Sequence, residues 1–149
     1  MTATPPERIA INHDEFDAKY VGRTVSGSQF FLTTPFVPES SNRPGAEYVA
    51  LYLFDAGGTL QEARIEAFGP RAAMDLTARD ACFERYLAEL GEVQYGRIEI
   101  APFSVERFGV TFGLVADDRD EDDDAALYIM EPGNYMAFFE PWDSGDYDT

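Results

Sequence analysis

Apolar and β-branched residues occur along the chain in short blocks separated by turn-forming residues, a pattern typical of β-strands. Residues 47–55 form a nearly continuous apolar run, which indicates a central strand covered on both faces or one that is unusually aromatic. Residues 60–68 instead alternate: a small apolar set is predicted to face the core, and Glu62, Arg64 and Glu66 are predicted to face water. Between the two blocks, residues 56–59 contain Gly-Gly and predict a hairpin turn.

Further strands are predicted on both sides of this hairpin. Before it, residues 28–37 are rich in aromatic and β-branched residues, but Pro35 either confines that strand to a sheet edge or ends it early. After it, the same signals recur over residues 94–100, 110–116, 125–131 and 134–140.

One long segment has helical periodicity instead. It runs from Arg71 to Leu90, with Pro70 suited to a first helical position and Gly91 to the C-terminal cap. Its apolar residues recur at helical spacing and form one stripe predicted to lie on the sheet: Ala72, Leu76, Phe83, Leu87 and Leu90.

These elements predict an α+β fold, mainly an antiparallel sheet of about six strands with one long helix packed on one face. The 149 residues match the size of one domain, and no linker or internal repeat divides them. Within the single domain 1–149, residues 1–12 are expected to be a loose lead-in, 117–124 an acidic loop and 141–149 an acidic aromatic tail.

Acidic residues dominate the charge and are clustered. The net charge is −17, and residues 117–149, with twelve acids and one base, carry −11 of it. Nucleic-acid and anionic-membrane partners are therefore not expected, because they are bound largely through Lys and Arg. An acidic field attracts a basic protein or a cation instead. A host-wide adaptation in which acidity serves only solubility is the alternative, although clustering weakens it.

The acidic run resembles a calcium loop in part of its spacing. Asp120, Asp122, Asp124 and Glu131 occupy positions 1, 3, 5 and 12 of a twelve-residue loop, but Ala125 stands where the turn needs glycine and the flanks read as strands. Loose cation binding is thus an alternative function, whereas no specific metal site and no cofactor are expected.

The C-terminal segment places the single tryptophan, Trp142, and Tyr147 among acids, a combination suited to protein recognition. The alternative is that Trp142 folds back and plugs the end of the sheet. The predicted partner-binding residues are Asp117, Asp118, Asp120, Asp122, Asp123, Asp124, Trp142, Asp143 and Tyr147.

Signs of an enzyme are sparse. The single histidine, His13, lies in a predicted surface segment, and the single cysteine, Cys82, is predicted to be a packing residue of the helix. One cysteine excludes an internal disulfide, and the N-terminal residues lack an export signal, so a cytoplasmic location is expected.

These observations lead to one main functional hypothesis: a non-enzymatic acidic binding protein that meets a basic protein partner. An enzyme of unrecognised type is a further alternative, beside cation binding. In size and charge, though in no motif, the chain is similar to bacterial immunity and antitoxin-type inhibitors, which neutralise basic enzymes. A homodimer remains open, because strand edges, including residues 28–36, are expected to be exposed.

Overall fold

The computed structural model describes residues 6–15, 18–42, 44–116, 127–132, 136–139, 141–143 and 145–147. Within them, a 3₁₀ helix spans Arg71–Ala73 and one α-helix, α1, spans Leu76–Leu90. The strands are β1 (Ile9–Ile11), β2 (Val21–Thr24), β3 (Gln29–Thr33), β4 (Phe36–Val37), β5 (Ala46–Phe54), β6 (Leu60–Gly69), β7 (Val93–Tyr95), β8 (Ile98–Ile100), β9 (Phe103–Arg107), β10 (Val110–Ala116), β11 (Leu127–Glu131), β12 (Met136–Phe139) and β13 (Gly145–Tyr147).

The predicted α+β fold with one sheet of about six strands is wrong. The described part of the chain is mostly β, with 50% strand and 15% helix, and its strands form three antiparallel sheets. One reason is that the stretch 94–100, predicted as a single strand, is two strands in different sheets: β7 pairs with β2, and β8 pairs with β1.

The largest sheet contains six strands. Across it the order is β6, β5, β3, β2 and β7. The short β4 also pairs with β5, on the same side of β5 as β3. The prediction for β5 as a central strand covered on both faces is confirmed, because Tyr48, Ala50 and Tyr52 enter one hydrophobic core while Val49 and Leu51 enter another.

The α-helix crosses the outer face of this sheet, since it connects β6 at one edge to β7 at the other. Asp75 caps its N-terminus by accepting a hydrogen bond from the Ala78 backbone N–H, and Gly91, with φ of 72°, ends it as predicted. The helix therefore begins later than Arg71.

The predicted apolar stripe of the helix is only partly correct. Phe83, Leu87 and Leu90 pack on the sheet, but Leu76 is 59% exposed. Ala72 lies outside α1, in the exposed 3₁₀ helix. The most buried helical residues are instead Cys82 and Tyr86. Because both side chains end in a polar group, a pattern based on hydrophobic residues alone did not include them in the buried stripe.

The main core lies on the other face of the large sheet. There, Phe31, Tyr52 and their neighbours pack against the second sheet, in which the order is β13, β12, β11, β10 and β9. Phe112, Leu114, Met130, Met136 and Phe138 come from that second sheet, and Ile9, Ile11, Ile98 and Ile100 come from the small β1–β8 sheet. The layers are thus helix, large sheet, core, and second sheet.

A buried glutamine joins the small sheet to the large one. Gln29, 1% exposed in β3, donates from Nε2 to the Glu99 carbonyl at 2.9 Å and accepts from the Glu99 N–H at 2.8 Å. The predicted turn at residues 56–59 packs nearby: Gly58 has φ of 96°, and a Cβ there would lie 2.4 Å from the same carbonyl oxygen. Glycine is therefore required by both conformation and space.

Three predicted boundaries are corrected by pairing between distant residues. Residues 9–11, within the expected lead-in, form the buried strand β1, whose Ile9 pairs with Ile100. Residues 145–147, within the expected tail, form β13 against β12. Residues 29–33 are not a sheet edge, because β3 lies between β2 and β5; Pro35 ends the strand early instead.

Candidate binding surface

One end of the second sheet gathers the chain segments that sequence analysis singled out. Ala116, the last residue of β10, pairs with Tyr128, while Leu127, the first of β11, pairs with Phe139, the last of β12. The next pairing, Phe138 with Gly145, is at this same end. Two connections therefore join strands at this one end, residues 117–126 and residues 140–144. We call it the acidic end.

The turn after β12 is held by backbone hydrogen bonds. The Trp142 N–H donates to the Phe139 carbonyl at 2.9 Å, and the Trp142 carbonyl accepts from the Ala10 N–H at 2.9 Å. The Asp143 carbonyl accepts from the Asn12 side-chain amide at 3.1 Å. The first strand of the chain thus fixes this turn against the second sheet.

The indole of Trp142 packs into the protein. It is half-buried beside the main core and lies edge-on to the Tyr128 ring, with centroids 5.5 Å apart. Its φ of 70° is unusual for a bulky residue, and both backbone hydrogen bonds of Trp142 are made in this conformation. This is the arrangement of the alternative interpretation, in which Trp142 closes the end of the sheet.

The other predicted partner-binding residues have different positions. Asp143 is exposed at the acidic end. Tyr147 lies in β13, where its backbone pairs with Met136. Asp117, Asp118, Asp120, Asp122, Asp123 and Asp124 lie outside the described residues. The structure therefore brings Trp142 and Asp143 beside the strands that flank the acidic segment.

The flanks of that segment bear on the calcium interpretation. Residues on both sides of 117–126 are strands, β10 and β11, whereas an EF-hand requires helices. Within the described ranges, no group of three or more His, Cys, Asp or Glu side chains is arranged to hold a metal ion.

Five arginines in the described part of the chain form ion pairs with local carboxylates. Arg64 bonds Glu62 and Glu89, while Arg85 bonds Glu66. The remaining described ion pairs are Arg71–Glu47, Arg79–Asp80 and Arg97–Glu99. The positive charge of each of these arginines is therefore balanced by a neighbouring carboxylate. Exposed ion pairs of this kind contribute little to the stability of the fold.

A polar cluster of side chains lies between β6 and the helix. The Cys82 thiol donates to Glu66 Oε2 at 2.7 Å, and Arg85 Nη2 donates to the same oxygen. The Tyr86 hydroxyl helps to lower the pKa of this carboxylate. Glu66 faces water as predicted, with 44% of its side chain exposed, but its bonds to the helix were not predicted. The polar-tipped residues 82, 85 and 86 at helical spacing were the available signal.

Its electrostatics disfavour reactive chemistry. Burial, reinforced by the hydrogen bond to Glu66, raises the pKa of Cys82 to about 12. Burial likewise raises the pKa of Tyr86, and the hydrogen bond from Cys82 lowers the pKa of Glu66. A nucleophilic cysteine requires the opposite shift, so this thiol is a hydrogen-bond donor that fastens the helix to β6.

The single histidine is not among the residues bonded to one another in that cluster. His13 is half-buried, and its ring lies beside that of Tyr95 in β7 with centroids 6.0 Å apart. The hydrogen-bond partners of Cys82 are Glu66 and Arg85, so the contacts of the thiol do not form a Cys–His pair.

The described residues contain no helix with the length and apolar character needed to cross a membrane.

Comparison with known proteins identifies no relative of this chain. No protein-family model, no curated protein and no solved structure matches the chain.

Proposed function

We propose that this protein is a non-enzymatic binding protein, similar in role to immunity proteins and inhibitors, that recognises a basic protein in the cytoplasm. The acidic end of the second sheet is the proposed contact region. Asp117, Asp118, Asp120, Asp122, Asp123, Asp124, Trp142, Asp143 and Tyr147 are the residues proposed to contribute.

The strand order carries this proposal. Residues 117–126 hold seven acids and one base, and residues 140–144 add Glu140 and Asp143. These two segments are separated in sequence by β11 and β12, yet both leave the sheet at one end. Acidic residues that serve only solubility do not need to belong to segments that attach at one end of a sheet.

The pairing of arginines elsewhere strengthens the resulting asymmetry. Arg64, Arg85 and Arg97 lie within ion pairs on the large sheet, the helix and β8. A basic protein approaching from a distance is attracted most strongly to concentrated carboxylate, which raises the association rate.

Two variants with equal net charge test the proposal. In the first, Asp120, Asp122, Asp123 and Asp124 are changed to Asn; in the second, Glu7, Asp80, Glu84 and Glu92, all exposed and outside the acidic end, are changed to Asn or Gln. Both changes reduce the net charge from −17 to −13. A partner is captured from the source cells with the wild-type protein, and its association is measured against ionic strength.

The first variant should bind more slowly and with a flatter salt dependence, because exposed charges steer a partner until they are screened beyond ~8 Å at physiological salt. The second should retain most of the wild-type association rate. Capture of no basic protein, or equal slowing by both variants, contradicts recognition at the acidic end.

A further inference from the structure

The large sheet ends at a long strand. β6 spans ten residues, and within the described residues it pairs with β5 alone. That pairing is regular from Glu62 to Ala67 and shifts register only outside this stretch. β9 of the second sheet approaches β6, but β9 is paired with β10. The backbone N–H and C=O groups on the outer side of β6 therefore have no strand partner in the described structure.

The side chains of this edge strand are accessible. Glu62, Arg64 and Glu66 are 46%, 42% and 44% exposed, on the face of the sheet that carries the helix. The helix packs mainly on buried residues of β3 and β5. Natural proteins usually keep an open edge strand short or block it, because such an edge pairs with other chains. A long open edge such as β6 is therefore a candidate site for pairing.

The sequence of β6 is complementary to itself when two copies of the strand run antiparallel. With a two-fold axis at Ile65, Arg64 of one copy lies opposite Glu66 of the other, and Glu66 lies opposite Arg64. In the same register Ala63 lies opposite Ala67, and Ile65 lies opposite its own copy. Because side chains alternate, the charged pairs share the helix side of the sheet, and the apolar pairs share the side where Ala63 and Ile65 pack against the main core.

Two neighbouring registers lack this match. An axis at Arg64 places Arg64 opposite itself and Glu62 opposite Glu66, and an axis at Glu66 places two copies of Glu66 together. Like charges directly opposite each other on two strands are destabilising, whereas opposite charges are stabilising. The charges of β6 therefore favour the axis at Ile65 over both.

A third register also pairs opposite charges. With its axis at Ala63, Arg64 lies opposite Glu62. This register pairs only residues 60–66, whereas the register centred on Ile65 pairs residues 61–69. Since each further pair adds backbone hydrogen bonds or side-chain contacts, the longer register is preferred.

We propose that β6 is the interface of a homodimer, in which the β6 strands of two copies pair antiparallel about Ile65 and join the two large sheets. A second copy is the occupant because β6 contains its own complement in both charge and apolar positions. The net charge of −17 on each copy opposes association, but charges separated by more than ~8 Å are largely screened at physiological salt. Recognition of a basic protein and this pairing are independent of each other.

Three variants test the interface. Arg64→Glu and Glu66→Arg each turn both cross-strand ion pairs of a homodimer into like-charged pairs. A mixed dimer of one variant with the other restores two opposite-charge pairs. Arg97→Glu is the matched control: Arg97 lies outside β6 at 49% exposure, and this change and Arg64→Glu both take the net charge from −17 to −19.

Sedimentation of the full chain at physiological salt measures the association. The wild type should form dimers in the micromolar range, and Arg64→Glu should weaken dimerisation about tenfold or more, because two attractive pairs become repulsive. Arg97→Glu should change it by less than about twofold, since an exposed pair elsewhere contributes little. Mixing Arg64→Glu with Glu66→Arg should restore dimers that neither variant forms alone.

The adverse outcomes are distinct. A wild type that stays monomeric throughout the micromolar range overturns the proposal, as does a dimer that Arg64→Glu leaves intact or that Arg97→Glu weakens equally. Two folded variants that fail to associate when mixed overturn the register centred on Ile65. Circular dichroism melting curves verify folding, and if Glu66→Arg does not fold, the comparison of Arg64→Glu with Arg97→Glu decides.

Discussion

The thiol of Cys82 should be nearly inert toward thiol reagents while the protein is folded. It is 2% exposed, it donates to Glu66, and its pKa is raised from 9.0 to about 12. Since the thiolate is the reactive form, this rise lowers the reactive fraction at about pH 8 on the order of a thousandfold. Limited access to the buried sulfur slows labelling further.

Labelling with an aromatic disulfide reagent measures this directly. Reaction rates are compared for native and denaturant-unfolded protein, and then for two variants in β6. Glu66→Gln removes the carboxylate that accepts the thiol hydrogen and should speed native labelling severalfold. Glu62→Gln is the matched control, because Glu62 bonds Arg64 on the same strand and should leave the rate unchanged.

Two results would refute this reasoning. Native Cys82 reacting within about tenfold of the unfolded protein would mean that the thiol is neither protonated nor enclosed as described. Equal acceleration by Glu62→Gln and Glu66→Gln would mean that general loosening of the helix, and not the specific hydrogen bond, controls reactivity.

The same pKa shifts determine the pH dependence of stability. The raised pKa of Cys82 contributes stability that is present below the unfolded value of 9.0 and is lost as the pH rises toward about 12. The lowered pKa of Glu66 contributes stability that is present above its unfolded value of 4.5 and is lost as the pH falls. The urea midpoint of unfolding should therefore decline at both extremes of pH. In the helix, Leu87→Ala should cost about 2 kcal/mol because Leu87 packs on the sheet, and Leu76→Ala, at an exposed position, should cost below ~0.5 kcal/mol. Equal effects on the denaturation midpoint would show that the buried face of the helix is misassigned.

Elements whose signals are local could be predicted from the sequence. The Gly-Gly turn, the long apolar strand after residue 46 and the helix stop at Gly91 all depend on residues close together in the chain. Each of these can be predicted without knowledge of strand pairing, because turn conformation and helix capping are decided within a few residues.

Elements defined by distant partners could not be predicted in the same way. β1 is three residues long, too short for alternation to be distinctive, and becomes a strand through pairing of Ile9 with Ile100. In β6 the predicted water-facing residues are exposed, and Glu66 is 44% exposed. The hydrogen bonds of Glu66 with Cys82 and Arg85 could not be predicted, because they depend on where the helix lies over the strand.

The candidate surface depends even more on topology. The sequence shows that residues 117–124 and Asp143 are acidic, but only the order of β10, β11 and β12 places their attachment points at one end. The aromatic residue in contact with solvent is likewise decided by strand alternation: Phe138 faces the core and Phe139 faces outward. Two adjacent phenylalanines cannot be distinguished without knowing which face is covered.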